Sequence, residues 1–294
     1  MNREIKNIEI SHVTKLYKGK ILGLDDVTFN IGPGVFGLLG HNGAGKTTLM
    51  KLISTILSPS SGTIKVLGHD ISLHGNYVRR KIGYLPQELS MYPTLKVIEF
   101  VSYIAALKGF NSKDTVNAAL EAVDMLNVAN RKIAQLSGGM KRRVGIAQAI
   151  VGTPEILVVD EPTSGLDPEE RVRFKGVLSR YAQNGRTVIL STHIVDDIYQ
   201  LCGEIAVMRN GKLFYSGEPD GLIQKIENKV KIIKLESENA LLELQRSSMV
   251  LSTTYENNKI IARIVDENNC YMEPSVKATL EDAYIYSMGG KQHA

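Results

Sequence analysis

Cysteine is scarce. Only Cys202 and Cys270 occur in 294 residues, far apart, with no CxxC pair and no neighbouring histidine cluster, which excludes a disulfide framework and a zinc site and predicts free thiols in a reducing compartment. No run approaches the ~18 uninterrupted apolar residues that span a bilayer, and the start, MNREIKNIEIS, is broken by charge and is expected to carry no secretion signal. Charge of one sign is also missing. The formal net charge is +4, too little for a protein that coats nucleic acid, and from Gly221 onward basic and acidic residues nearly balance, so the tail is no polybasic arm. Internal repeats and low-complexity tracts are absent. What remains is an ordinary globular composition, 43% hydrophobic and 22% charged, long enough for a domain with a sizeable core plus an accessory unit.

Within that frame the apolar pattern orders the chain. Ile8 and Ile10, then Val27, Phe29 and Ile31, recur at every second position, the period of half-buried strands, so antiparallel structure comes first. After the turn Gly32-Pro33-Gly34 the run VFGLL leads through a glycine-rich loop into a helix-compatible stretch over Thr47–Ile53. Between Pro93 and Ala129 the apolar residues fall at helical spacing. Ile156–Val159 and Val188–Leu190 are short, branched and uninterrupted, as parallel strands covered on both faces should be. These runs imply a doubly wound α/β core. After about residue 220 comes VKIIKLE, a polar helix around Leu241–Gln245, a hairpin at Asn257-Asn258 and a last helix over SVKATLEDAYIYSM, a small separate α+β unit. The predicted domains are 1–220 and 221–294, with a helical subdomain over about 88–136.

Three strand ends carry chemistry. Gly40-His41-Asn42-Gly43-Ala44-Gly45-Lys46-Thr47 fits GxxxxGK[ST], placed between a buried strand and a helix. Glycines let backbone N–H groups curl around a triphosphate, Lys46 reaches the outer phosphates and the Thr47 hydroxyl takes a place on Mg²⁺. The run ILVVD delivers Asp160 and Glu161 to the carboxyl edge of the sheet, where side-chain alternation points them apart, one suited to metal through water and the other to handling water. His193 follows the strand TVILS to the same edge. Ser137, Gly138 and Gly139, in LSGGM, precede a helix and form a second anion site. Two half-sites in one chain suggest that each chain completes the other's site across a two-fold axis. Lys141, Arg142 and Arg143 sit where the helix dipole disfavours cations, and a solvated or partner-facing role is expected for them.

Together, GHNGAGKTT, Gln87 in YLPQE, LSGGM, ILVVDEP, Ser164-Gly165-Leu166-Asp167 and His193 in STH, in this order over roughly residues 15 to 217, resemble the ATP-binding subunit of an ABC transporter. The resemblance implies a P-loop NTPase core with an antiparallel β subdomain and a helical subdomain, ATP and Mg²⁺ as cofactors, and a role for each residue. Glu161 would be the general base; His193 would touch the γ-phosphate; Gln87 would watch that phosphate, the metal and a membrane partner. Asp160, Thr47 and Gln87 would serve the metal. Gly40, Asn42, Gly43, Ala44, Gly45, Lys46, Thr47 and Thr48 would hold the phosphates. Ser137, Gly138 and Gly139 would bind the opposite subunit's ATP, with Asp167 at the dimer seam. Tyr17 matches the aromatic that stacks on adenine, the alternative being a strand-end tyrosine packed on the core. Met140 departs from the glutamine that most often ends the family signature.

LSGGMKRR and PSVKATLEDAYIYSMGG are similar to ATPases paired with ABC-2-type export permeases. The expected protein is therefore an ATP-hydrolysing subunit acting as a head-to-tail dimer, taken as two copies of this chain. It would be cytoplasmic, peripheral on the cytoplasmic face of the cell membrane, with an integral membrane permease as partner and no nucleic acid involved. A chromosome-maintenance ATPase would need a long coiled coil between Gln87 and Ser137, where only a compact subdomain fits. A ribosomal ATPase would resemble two fused units with a basic linker. A non-hydrolysing clamp would not need both Glu161 and His193.

Overall fold

The computed structural model describes residues 6–163 and 166–289. Ser164 and Gly165, part of the family resemblance, lie outside the described residues. The chain divides into two compact units, one ending at Ser216 and one starting at Gly217.

The first unit opens with β1 (Ile8–Leu16) and β2 (Leu22–Ile31), followed by β3 (Gly34–Leu39), α1 (Lys46–Ile53), β4 (Ser61–Val66) and β5 (His69–Asp70). In β2 the residues Leu24, Val27, Phe29 and Ile31 are buried while Thr28 and Asn30 face out, the alternation of a sheet with one wet face. Antiparallel pairing gives the order β2-β1-β4-β5. Then come α2 (Gly75–Lys81), β6 (Ile82–Leu85), α3 (Val97–Leu107), α4 (Lys113–Glu121), α5 (Gly138–Ile150), β7 (Ile156–Asp160), α6 (Pro168–Tyr181), β8 (Thr187–Thr192), α7 (Val195–Leu201), β9 (Glu204–Arg209) and β10 (Lys212–Gly217). The second sheet runs β10-β9-β3-β8-β7-β6, with β9, β3, β8, β7 and β6 mutually parallel. Every residue of β7 and β8 is buried, which is why their sequences show no alternation.

One core fills the space between the two sheets and α1. Ile8, Ile10 and Val27 from the first sheet, Leu38, Val158 and Ile189 from the second, and Met50 and Ile53 of α1 belong to a single buried cluster. Phe29 stacks on Phe36 with ring centroids 5.7 Å apart. Each such side chain contributes about 1.5–3 kcal/mol on leaving water, so the cluster is what holds the parallel strands in register. That register places the loops. The order β3-β8-β7-β6 lines up four carboxyl ends, and the chain leaves those ends at Gly40, His193, Glu161 and Pro86.

Between β6 and β7, α3 and α4 lie against α5, and Phe100, Val101, Leu120 and Ile146 on these helices are all buried. Lys108, just past α3, donates to the carbonyls of Gln148 and Ala149 at the end of α5, 3.0 Å each. Burial lowers its pKa to about 8.

The second unit contains α8 (Pro219–Ile223), β11 (Val230–Leu235), α9 (Glu238–Ser247), β12 (Met249–Glu256), β13 (Lys259–Val265) and α10 (Leu280–Gly289). Its sheet is antiparallel, order β11-β13-β12, and α9 buries Leu241 and Leu244 against Ile233, Ile260 and Ala262. The hairpin turn falls on Asn257 and Asn258, both with left-handed backbones (φ 49° and 63°), the conformation that asparagine tolerates best after glycine. The last helix starts later than its periodicity predicts, at Leu280 rather than Ser275. Ser275 bridges to Lys231 and the Val276 amide donates to the Val230 carbonyl, so these residues run extended beside β11. A reciprocal cap then opens the helix: the Thr279 amide donates to Asp282, and the Asp282 amide to the Thr279 hydroxyl.

Candidate functional site

The loop leaving β3 turns on Gly43 and Gly45, whose φ angles are 83° and 103°. Gly45 has a second reason to be glycine: a Cβ there would lie 2.7 Å from the Gly23 carbonyl oxygen. Lys46 begins α1 immediately afterwards, so the positive end of the helix and the loop amides face the same space. Its ammonium group is buried and donates to the carbonyls of Gly40 at 2.6 Å and His41 at 3.2 Å. It lies 3.7 Å from Glu161 Oε1. Burial lowers the Lys46 pKa, opposed by the carboxylates of Glu161 and Asp160.

At the end of β7, Asp160 and Glu161 take different partners, and the turn at Glu161 rather than strand alternation sets its direction. Asp160 is Cα partner of Ser191 in the β7–β8 register, and the Ser191 hydroxyl donates to Asp160 Oδ1 at 2.5 Å. Asp160 Oδ2 is buried with no hydrogen-bond partner. A buried carboxylate oxygen left unpaired is costly and suits a ligand that brings positive charge. Glu161 has a left-handed backbone, φ 45°, which costs a non-glycine residue about 1–3 kcal/mol. Its amide is held by Ser191, through the hydroxyl at 2.9 Å and the carbonyl at 3.2 Å. That turn brings Glu161 Oε2 to 3.2 Å from His193 Nδ1 while Oε1 faces Lys46. A carboxylate thus sits between an ammonium and an imidazole, and the half-exposed His193 marks the open side.

Other predicted residues lie around this centre. Tyr17 follows β1, stays 38% exposed, and exchanges a hydrogen bond with the Thr48 hydroxyl at 3.1 Å. It leans over Gly23, where a Cβ would meet its ring at 2.7 Å, and so stands beside α1 rather than inside the core. Thr47 is half-buried, and the exposed Gln87 is tied in through its backbone carbonyl, which accepts from Arg142. No hydrogen bond joins Ser137, Gly138, Gly139 or Asp167 to the loop among the described residues. Ser137 instead caps α5, accepting from the Met140 amide at 3.2 Å, and Asp167 caps α6, accepting from the Glu170 amide at 2.8 Å. Gly139 is pressed against the Glu170 carboxylate, 2.8 Å from where a Cβ would stand, whereas Gly138 faces open space.

Of the solvated or partner-facing roles expected for Lys141, Arg142 and Arg143, the solvated one is corrected for Arg142 and Arg143. Arg142 turns inward onto backbone carbonyls of Gln87, Asp160, Glu161 and Pro162, and Arg143 pairs with Glu170 at 3.3 Å. Carbonyl acceptors and a carboxylate offset what the helix dipole withholds. Three further residues of the site carry no motif in the sequence. Ser191 is legible from parallel register opposite Asp160. Asp197 and Lys175 are not: fully buried Asp197 accepts from the Thr163 hydroxyl at 2.8 Å and pairs with Lys175 at 2.7 Å, anchoring the segment after Glu161 to α6 and α7.

A strand, a glycine-rich loop gripping its lysine, and acid and histidine ends on neighbouring parallel strands define a P-loop nucleotide-hydrolysing fold. Residues 24–164 match the family described as ABC transporter. The chain is 36% identical over 222 residues to the Nod factor export ATP-binding protein I of Burkholderia thailandensis, covering 74% of this chain and 72% of that one. It is 38% identical over 227 residues to the methionine import ATP-binding protein MetN of Bifidobacterium longum, covering 72% and 56%. A solved dimeric ATP-binding cassette in a post-hydrolysis state with ADP and Pi superposes with a TM-score of 0.65 at 27% identity, covering 72% and 98%. The chain belongs to the ATP-binding proteins of ABC transporters; it binds ATP, is an ATPase, and is the ATP-binding subunit of a transporter.

Proposed function

We propose that this subunit hydrolyses ATP with Glu161 as general base, in a head-to-tail dimer of two copies that drives a separate integral membrane permease in export. The observation that carries the reading is the buried Glu161 carboxylate, set between Lys46 and His193 beside an unpaired oxygen of Asp160. Glu161 takes the proton of a water attacking the γ-phosphate. His193 donates to that phosphate from the open side, and Lys46 exchanges its carbonyl partners for phosphate oxygens. The loop from Gly40 to Thr48, with Asn42, Gly43, Ala44 and Gly45 at its turn, supplies backbone donors.

Mg²⁺ fits the donors present. Asp160 Oδ2, the Thr47 hydroxyl and the Gln87 side chain would hold it, with waters and phosphate oxygens completing its shell. When bound it neutralises charge developing between the outer phosphates. Tyr17, exposed beside α1, would stack on adenine. Ser137, Gly138 and Gly139 offer the first-turn amides of α5 to the partner copy's nucleotide, with Asp167 at the seam. The dimeric state of the solved neighbour supports this arrangement.

Export is supported by the export relative and by the two similar sequence strings; the import relative, matched over 56% of its length, is the competing direction. No helix of the described residues is long and apolar enough to cross a membrane. The subunit is assigned to the cytoplasmic face as the site where its permease would hold it. The second unit, from Gly217 on, is read as an accessory domain.

Glu161→Gln tests the reading. It should bind ATP, accumulate as an ATP-bound dimer in size-exclusion chromatography, and release phosphate at least ~100-fold more slowly, the usual range for loss of a general base. Turnover near the wild-type rate would remove Glu161 from that role.

A further inference from the structure

Glu161 is presented by a strained backbone, and strain persists only where neighbours over-determine it. On the amide side the determinant is Ser191. On the carbonyl side it is one guanidinium. Arg142 donates from Nη2 to the Glu161 carbonyl at 2.5 Å and to the Asp160 carbonyl at 3.3 Å, and from Nε to the Pro162 carbonyl at 3.0 Å. Three consecutive carbonyls of the turn thus converge on one side chain. Its remaining nitrogen, Nη1, donates to the Gln87 carbonyl at 2.6 Å, in the segment leaving β6. No other residue type presents donors along a rigid planar fork that can meet four acceptors from two loops.

The helix carrying Arg142 is itself fastened to that second segment. Gly145 admits Leu85 and Leu89 so closely that a Cβ would sit 2.7–2.8 Å from their methyl groups, and Gln148 Nε2 donates to the Tyr84 carbonyl at 3.2 Å. Helix α5 and the Gln87 segment are therefore packed together, and Arg142 is the group that reaches from them to the Glu161 turn.

We infer that Arg142 is a positioning residue for ATP hydrolysis: it fixes the left-handed turn that aims the Glu161 carboxylate, and it couples that aim to the position of α5 and the Gln87 segment. The inference rests on Glu161 being the general base. Displacement of α5 would then move the base without any change in the phosphate loop, so hydrolysis can be gated separately from nucleotide binding.

The test compares Arg142→Ala and Arg142→Lys with wild type in the full chain, alone and combined with Glu161→Gln. ADP titration gives binding stoichiometry, hence the folded fraction, and phosphate release gives kcat and KM. Misplacing a reacting group by about 1 Å can cost ~100-fold. Arg142→Ala should therefore lower kcat roughly 10- to 100-fold with KM for ATP and ADP affinity within about threefold. Lysine, with one ammonium for four carbonyls, should stay at least about fivefold below wild type. In the Glu161→Gln background the further loss from Arg142→Ala should be under about threefold, since the residue acts through Glu161. If Arg142→Ala fails to bind ADP, Arg142→Lys alone decides on the same criteria. Wild-type kcat in either folded variant, or a loss that multiplies fully in the Glu161→Gln background, overturns the inference. Near-normal turnover of Glu161→Gln by itself overturns the assignment of the base instead, so the two failures are told apart.

Discussion

The second unit and the strand-end edge of the first both bury carboxylates beside cations, and they use them differently. In the second unit Asp266 accepts from the amides of Cys270 and Tyr271 and pairs with buried Lys231 at 2.9 Å. Lys231 also donates to Asn269 and to the Tyr271 carbonyl. Asp282 there takes both ends of the Arg263 guanidinium at 2.8 and 2.7 Å. All four carboxylate oxygens are engaged. In the first unit Asp160 has one oxygen engaged and one unpaired, and Lys46 stands 3.7 Å from Glu161, gripped meanwhile by carbonyls. Saturated pairs fix a chain in one place. Unsaturated ones also cost desolvation, and in the proposed reading a ligand completes them.

The widest contrast comes from removing each lysine. Lys231→Met should leave Asp266 buried without its cation and destabilise the second unit by about 3–5 kcal/mol, read as faster hydrogen exchange in β11 and β13, while ATP affinity of the full chain is unchanged. Lys46→Ala should do the reverse: β7 and β8 amides stay protected, and ATP binding weakens at least ~10- to 100-fold, the worth of about 1.5–3 kcal/mol for a charge-assisted bond. Unaltered ATP affinity in folded Lys46→Ala would show that Lys46 too is a structural lysine.

The difference between the two regions also decides what can be read from sequence. Lys46, Thr47, Asp160, Glu161 and His193 each sit close after a strand whose apolar run is visible, and a parallel sheet collects strand ends at one edge; separate strings therefore become one site. Arg142 is hidden because its acceptors lie 18 to 55 positions away, and a cation in a first turn looks like a solvated one until those carbonyls are seen. The same distance hides Asp197, whose hydroxyl donor is 34 residues upstream. In the second unit Ser275–Thr279 continue the helical pattern, yet pairing beside β11 outweighs propensity, as tertiary contacts commonly do. The hairpin at Asn257-Asn258 is legible because a two-residue turn is local chemistry.

A smaller effect sharpens the site's outer limit. Tyr17 could serve adenine or merely brace α1 through Thr48. If it stacks, Tyr17→Ala should weaken ADP by about 1–3 kcal/mol, the range for base–aromatic stacking, and leave inorganic triphosphate binding unchanged, because only the base is lost. Tyr17→Phe, which removes the bond to Thr48 and keeps the ring, should bind ADP as wild type does. Equal losses for ADP and triphosphate in Tyr17→Ala would mean that the ring braces the helix.

The smallest effect is a slope. Burial by itself would raise the pKa of Asp282, but the Arg263 guanidinium and the amide and hydroxyl of Thr279 bring it below the ordinary carboxylate value. A carboxyl whose folded pKa is depressed stabilises the fold above its unfolded pKa, near 3.9, and that stability is lost as pH falls through the folded pKa. The second unit of the wild-type chain should therefore hold its protection from pH 7 to about 5 and lose it progressively below 4. Arg263→Ala removes the opposing charge and leaves the Thr279 donors, so the folded pKa should rise toward the unfolded one and the slope should flatten. Stability, lower at pH 7, should then change less steeply than in wild type as pH falls through 4, where one group contributes at most about 1.4 kcal/mol per pH unit. Hydrogen exchange of β13 between pH 4 and 7, corrected for intrinsic rates, measures that slope. A variant whose protection declines with falling pH as steeply as wild type does would show that the Thr279 donors, rather than the arginine, hold the Asp282 pKa down.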